Sequence, residues 1–210
     1  AQDYKRAFDH DRGPNTGGMG AFSPSPLLTK KILEKILNKI IKPTVEYMKE
    51  TGNEFSGILY AGLVLNNGEP KLIEYNVRFG DPECQALCVR LGAQIFDIYF
   101  SGAKNELSSL SINEACDSAI TVIVAEKGYP KNPRSDCELN DIVDIKYNKA
   151  LKIFHAGTYL KNNFLCNTGG RIFSFTVRSK NLKEARTIVY KALNKIENDN
   201  IFYRTDIGTY

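Results

Sequence analysis

The sequence predicts an α+β fold in two parts, on three observations. Two apolar runs, 55–65 and 71–77, flank Asn66-Asn67-Gly68, and Asn-Gly between apolar runs favours a tight antiparallel hairpin. Ile32, Leu33, Ile36, Leu37, Ile40 and Ile41, and later Leu182, Ala185, Ile188, Val189, Ala192, Leu193 and Ile196, recur at three- and four-residue spacing. That is the period of a helix with one buried face. A polar stretch rich in Ser, Asn and Glu, 102–115, then precedes a β-branched run at 118–125, so the chain divides near 1–107 and 108–210.

The elements follow in order. Residues 1–26 are rich in Gly, Pro, Asp and Asn without sustained apolar periodicity, and read as loop. Thr29 suits the N-cap of the first helix, which Pro43 kinks or ends before Val45, Tyr47 and Met48 carry it to about Glu50. After the hairpin, Pro82 suits a first helical turn with Asp81 as N-cap, and a second short helix covers 94–101. Strands are expected over 118–125, 151–160 and 171–177, with turns at Gly128-Tyr129-Pro130 and Thr168-Gly169-Gly170. The helix over 182–196 completes the series.

Composition narrows the function. With 42 % hydrophobic and 25 % charged residues the chain can bury a core, which excludes a disordered protein. No apolar run approaches the ~20 residues a membrane helix needs. The net charge of +4, from 28 basic and 24 acidic residues, is mild and not gathered into one block. With no basic stripe interleaved with aromatics, a nucleic-acid or polyanion module is weakly motivated; salt-dependent binding to generic DNA or RNA would favour it. Five scattered cysteines and no signal-peptide pattern read as reduced thiols of a cytoplasmic protein. Cys84 and Cys88 read as small apolar residues on one helix face, with no metal or redox role. The start at Ala1-Gln2-Asp3, without Met or preamble, suggests a piece of something larger.

Three groups of residues could carry chemistry. Gly13-Pro14-Asn15-Thr16-Gly17-Gly18-Met19-Gly20 lets backbone amides approach a ligand closely, yet lacks the Lys-Ser/Thr of a P-loop and a preceding strand, and a flexible surface loop fits as well. Alternation along 71–77 puts Glu74, Asn76 and Arg78 on one strand face. A carboxylate, an amide and a guanidinium suit a hard cation beside a phosphate, although an ordinary polar strand face shows the same pattern. Gly80-Asp81-Pro82-Glu83 turns into a helix N-terminus, where Asp81 and Glu83 could hold an ammonium group or Asp81 could simply cap. His10 and His155 stand apart from any Cys or carboxylate cluster and read as structural, and Arg204 and Asp206 read as a local pair anchoring the tail.

The stretches Gln2-Asp3-Tyr4-Lys5-Arg6, 13–24, 59–63, 73–83, 154–158, Thr168-Gly169-Gly170-Arg171 and 203–208 closely resemble the glycinamide ribonucleotide synthetase (phosphoribosylamine–glycine ligase) family of ATP-grasp enzymes, across nearly the whole chain. The resemblance implies the metal-bearing half of an ATP-grasp domain, an antiparallel sheet with helices, followed by a small mixed α/β C-terminal domain. It implies ligation of glycine to 5-phosphoribosylamine with ATP as co-substrate, through an acyl phosphate. It makes Glu74 and Asn76 the ligands of Mg²⁺ or Mn²⁺ and sets Arg78 on the transferring phosphoryl group, and Asp81 with its turn, by the ammonium argument above, is the candidate for holding glycine. Asp3, Lys5, Arg6, Gly17, Gly18 and Gly20 would shape the acceptor side. Many ATP-grasp enzymes carry another acidic ligand where this chain has Gly62. The family's N-terminal part, with half the nucleotide clamp, is the expected partner, and the chain alone is expected to be inactive. Another purine-synthesis ligase of the same fold is the alternative within the class.

Overall fold

The computed structural model describes residues 1–113, 115–139, 142 and 150–209. Its strands are β1 (Gln2–Asp3), β2 (Arg6–Phe8), β3 (Arg12–Asn15), β4 (Gly20–Ser23), β5 (Tyr60–Asn66), β6 (Glu69–Asn76), β7 (Ser118–Glu126), β8 (Leu151–His155), β9 (Thr158–Lys161), β10 (Phe164–Asn167), β11 (Arg171–Ser179) and β12 (Ile201–Phe202). Its helices are α1 (Lys30–Ile36), α2 (Lys42–Glu50), α3 (Glu83–Leu91), α4 (Gln94–Ala103) and α5 (Leu182–Leu193). The chain forms two units: Ala1–Pro24, Asp81–Gly92 and Glu114–Tyr210 make the first, Ser25–Gly80 and Ala93–Asn113 the second. They cut across a 107/108 division because strand pairing draws residues from the start of the chain onto β7.

The first unit is built on an antiparallel sheet ordered β1-β4-β7-β11-β8, with β12 also on β7. Strand β7 is buried nearly end to end, not in alternation. Its Ile120, Val122 and Val124 join Phe173, Phe175 and Val177 of β11 beneath Ala185, Val189 and Leu193 of α5. Thr121 and Thr176 are also buried, and their hydroxyls meet at 2.8 Å across the β7–β11 pair. A strand covered on both faces reads as a continuous apolar run, which is the 118–125 signal.

Two expectations fail here. Residues 1–26 are not loop: β4 is fully buried and pairs Phe22 with Ile120. Gly20 opens β4 because a Cβ there would lie 2.8 Å from the Thr121 oxygen and 2.9 Å from Ile207. So short a strand shows no period, and partners a hundred residues on supply its stability. The expected strand over 151–160 breaks into β8 and β9 at Gly157, where a Cβ would lie 2.8 Å from Thr168 Oγ1 and 2.9 Å from the oxygens of Arg171 and Gly169.

In the second unit Thr29 caps α1, its Oγ1 accepting from Ile32 N at 3.3 Å. The backbone then widens into a π turn, Leu37–Ile41, with Lys42 N donating to Leu37 O. Pro43 therefore opens α2 without ending the helical path, the register change absorbing its missing donor. The Ile40 carbonyl accepts from Thr44 Oγ1 at 2.7 Å and from the Tyr75 hydroxyl at 3.1 Å. Asn67 and Gly68, with φ of 51° and 76°, turn β5 into β6 as expected. A bulge skips Ile73, since Gly62 opposes Glu74 while Leu63 opposes Leu72.

Candidate active site

In the second unit the bulge re-aims the end of β6, as bulges beside functional sites do. Glu74 and Asn76 share a face, as expected, with Asn76 Nδ2 donating to Glu74 Oε1 at 3.1 Å. Gly62 lies directly across, and a Cβ there would be 3.1 Å from Glu74 Cγ, so its bareness leaves Glu74 room. Arg78, just past the strand, donates to the Phe79 carbonyl at 2.7 Å. The carboxylate and amide are hard oxygen donors, and rotation of the Asn76 amide presents its oxygen beside Glu74. No cluster of three or more His, Cys, Asp or Glu side chains suited to a metal occurs among the described residues. The pair thus fits a cation whose remaining ligands are phosphate and water, and not a closed protein cage.

In the first unit the glycine-rich segment is laced to 4–6: Thr16 N donates to Lys5 O and Met19 N to Tyr4 O, both at 2.8 Å. Lys5 pairs with Asp3 at 2.6 Å, and Arg6 Nη1 donates to Gly13 O at 2.7 Å. Gly17 N donates to the Tyr129 hydroxyl at 2.8 Å. Asp81 is not the N-cap. Helix α3 starts at Glu83, with Pro82 in the cap position and no side-chain cap bond. The Asp81 carboxylate accepts from Arg171 Nη2 at 2.6 Å and Gln85 Nε2 at 3.1 Å, a stronger demand than capping. Arg171 and Tyr129 escaped the chemical reading of the sequence, because only the fold brings them to the glycines or to Asp81; Gln85 lies four residues from Asp81 and was not singled out. The Gly169-Gly170 turn ahead of Arg171 was the one available signal.

The remaining singled-out residues are structural. Arg204, almost wholly buried, donates to both Asp206 oxygens at 2.8 and 2.7 Å, to Asp11 Oδ1 at 2.9 Å and to the Arg6 carbonyl at 3.0 Å. Burial opposes the charge on Asp206, but the Arg204 hydrogen bonds and the His10 amide outweigh it and hold the carboxyl at about 2. His155 Nδ1 meets Thr158 Oγ1 at 2.9 Å. Burial, then the Cys88 thiol 3.6 Å away, pushes the Cys84 thiol up to about 12, so it stays protonated and inert at neutral pH.

The architecture belongs to a known class. The biotin carboxylase domain of Hydrogenobacter thermophilus 2-oxoglutarate carboxylase, solved with MgADP and bicarbonate, is similar over 89 % of this chain and 40 % of its own, with a TM-score of 0.59 and 17 % identity. At that identity the likeness is one of fold, and the fold is ATP-grasp. Two family models narrow it further: the ATP-grasp (A) domain of phosphoribosylglycinamide synthetase matches residues 1–84, and the C domain of the same enzyme matches 119–210. The chain belongs to the phosphoribosylglycinamide synthetase family. The expected 107/108 division falls in the unmatched gap.

The phosphoribosylamine–glycine ligase of Thermotoga maritima, a crystal structure, is similar with a TM-score of 0.84 and 31 % identity over 99 % of this chain and 50 % of that one. The ligase of Rhizobium meliloti is 42 % identical over 208 residues, 99 % of this chain and 49 % of its own length. The chloroplastic ligase of Arabidopsis thaliana is 44 % identical over 212 residues, 99 % of this chain and 40 % of its own. The chain thus spans about half the length of the curated relatives it matches. Among the described residues no helix is long and apolar enough to cross a membrane.

Proposed function

We propose that this chain supplies the metal-bearing and C-terminal parts of an ATP-dependent ligase joining glycine to 5-phosphoribosylamine in purine synthesis, alongside the N-terminal part of the same enzyme. The Glu74–Asn76 pair on β6, in a chain matching both family domains, carries the reading. A glycine carboxylate oxygen attacks the γ-phosphorus of ATP, and the bond to ADP breaks. The phosphoribosylamine nitrogen then attacks the glycyl carbon and expels phosphate, losing a proton as the amide forms.

Glu74 and Asn76 would hold Mg²⁺ or Mn²⁺, which when bound offsets phosphate charge. Arg78 pairs with the phosphoryl oxygens as their charge shifts in transfer. Asp81 has lone pairs beyond those taken by Arg171 and Gln85, and these accept the glycine ammonium. Asp3, Lys5, Arg6 and the Gly17, Gly18 and Gly20 backbone line the acceptor side.

The test is ADP release dependent on glycine and phosphoribosylamine. In the intact ligase Glu74→Ala abolishes release and leaves the circular-dichroism spectrum unchanged; turnover near the unsubstituted level rejects the assignment. Release supported by another carboxylate in place of glycine points to the alternative ligase. The 210-residue chain alone, spanning about half the length of the relatives it matches, is expected to release no ADP.

A further inference from the structure

We propose that Arg171 is a positioning residue for the glycine end of this reaction, tying the backbone of Gly17 and Gly18 to the carboxylate of Asp81. The role rests on the ligase reading above. The guanidinium faces four acceptors in two separate segments: Nη2 donates to Asp81 Oδ2 at 2.6 Å, while the two hydrogens of Nη1 are shared among Asp81 O at 2.9 Å, Gly17 O at 3.1 Å and Gly18 O at 3.3 Å. A planar fork fixes the direction of both nitrogens at once, which the flexible point charge of a lysine ammonium does not.

The segments are shaped around it. A Cβ on Gly17 would lie 3.1 Å from Arg171 Cζ, and one on Gly18 would lie 2.5 Å from Pro82 Cδ. Gly18 also has φ of 114°, a conformation that side chains resist. Glycine is therefore required at position 18, where the loop closes onto Pro82, while a side chain at position 17 would press the Arg171 guanidinium back by a few tenths of an ångström.

Arg171 is itself held from behind. Gly157 N donates to its carbonyl at 3.1 Å, and the preceding Gly170 carbonyl accepts from Glu126 N at 2.9 Å. The buried Glu126 carboxylate accepts from Gly128 N at 2.7 Å and Arg134 N at 2.9 Å, fixing the loop that carries Tyr129. Tyr129 in turn accepts from Gly17 N, which closes the ring of contacts.

Asp81 consequently has one oxygen tied to Arg171 and the other to Gln85, so its free lone pairs keep a set direction. Without Arg171, glycine binding must also order the carboxylate, and affinity for glycine falls.

In the intact ligase Arg171→Ala and Arg171→Lys each raise KM for glycine about tenfold or more, with KM for ATP within about twofold of its starting value. Asp81→Asn acts in the same direction, and the double variant Arg171→Ala/Asp81→Asn is no worse than the worse single one. A lowered kcat with every KM unchanged, or fully additive losses, overturns the role. Amide exchange on the 210-residue chain separates this from failure of the ligase reading. Arg171→Ala speeds exchange at Gly17 and Gly18 about tenfold or more while Phe175 and Val189 keep their rates. Unchanged loop exchange refutes the clamp even in an active ligase. Faster loop exchange in an intact protein that ligates no glycine refutes the ligase reading, and the positioning role with it.

Discussion

Arg204 shows what one side chain holds in place. It satisfies oxygens on Asp206, Asp11 and Arg6 and stacks over the Tyr4 ring at 4.8 Å, joining residues near 5–11 to residues near 205. Arg204→Ala leaves the half-buried Asp206 carboxylate without its cation and costs about 2–3 kcal/mol, read as a fall in the urea midpoint. The pH dependence has a definite sign. Asp206 ordinarily titrates near 3.8 and is held at about 2 when folded. Its contribution is therefore complete above about pH 4 and drains away as pH falls toward 2, roughly 2 kcal/mol in all. Urea unfolding at pH 4 and pH 2 shows that loss in the parent chain and a much smaller one in Arg204→Ala. The Arg204–Asp206 pair was legible because its partners lie two residues apart. The Arg171–Asp81 pair was not, since nothing local ties positions ninety residues apart.

Among elements, legibility follows how much of the stabilising information is local. The β5–β6 hairpin announces itself through Asn67 and Gly68, whose positive φ values the turn requires. Helix α5 does so through period, and α1 through its Thr29 cap. Strands β1 and β4 carry no such mark, because their partners lie about twenty and a hundred residues away, and the short hairpin of β2 and β3 is punctuated by Gly, Pro and Asn. Two glycine substitutions separate these kinds of requirement. Gly68→Ala meets open space and suffers only the backbone cost, about 1 kcal/mol. Gly157→Ala drives a methyl into the oxygens of Thr168, Arg171 and Gly169 and costs several times more, about 3 kcal/mol. Urea denaturation of the two variants checks the order, and equal losses contradict the packing at the β8–β9 corner.

At the scale of the whole molecule the two units differ in how much they bury. Among the described residues the first unit holds nearly all the fully buried apolar side chains, while the second contributes Ile36 and leaves Ile73, Val77, Phe96 and Tyr47 well exposed. A unit with so thin a core opens at lower free energy. Limited proteolysis is accordingly expected to cut within 25–80 before any cut in β7, β11 or α5, with fragments read by mass spectrometry. First cleavage in β7 or β11 contradicts this ordering.

The pairing of β4 with β7 also sets a timetable for the nascent chain. Phe22 leaves the ribosome about a hundred residues ahead of Ile120, a wait of about 5–20 s at ordinary elongation rates. Through that interval the edge of β4 that will meet β7 keeps its amides and carbonyls bare, while β1 is already available on the other edge and the hairpin of β5 and β6 is free to close. The central sheet then completes late and out of chain order, with the second unit translated between its first strands and its core.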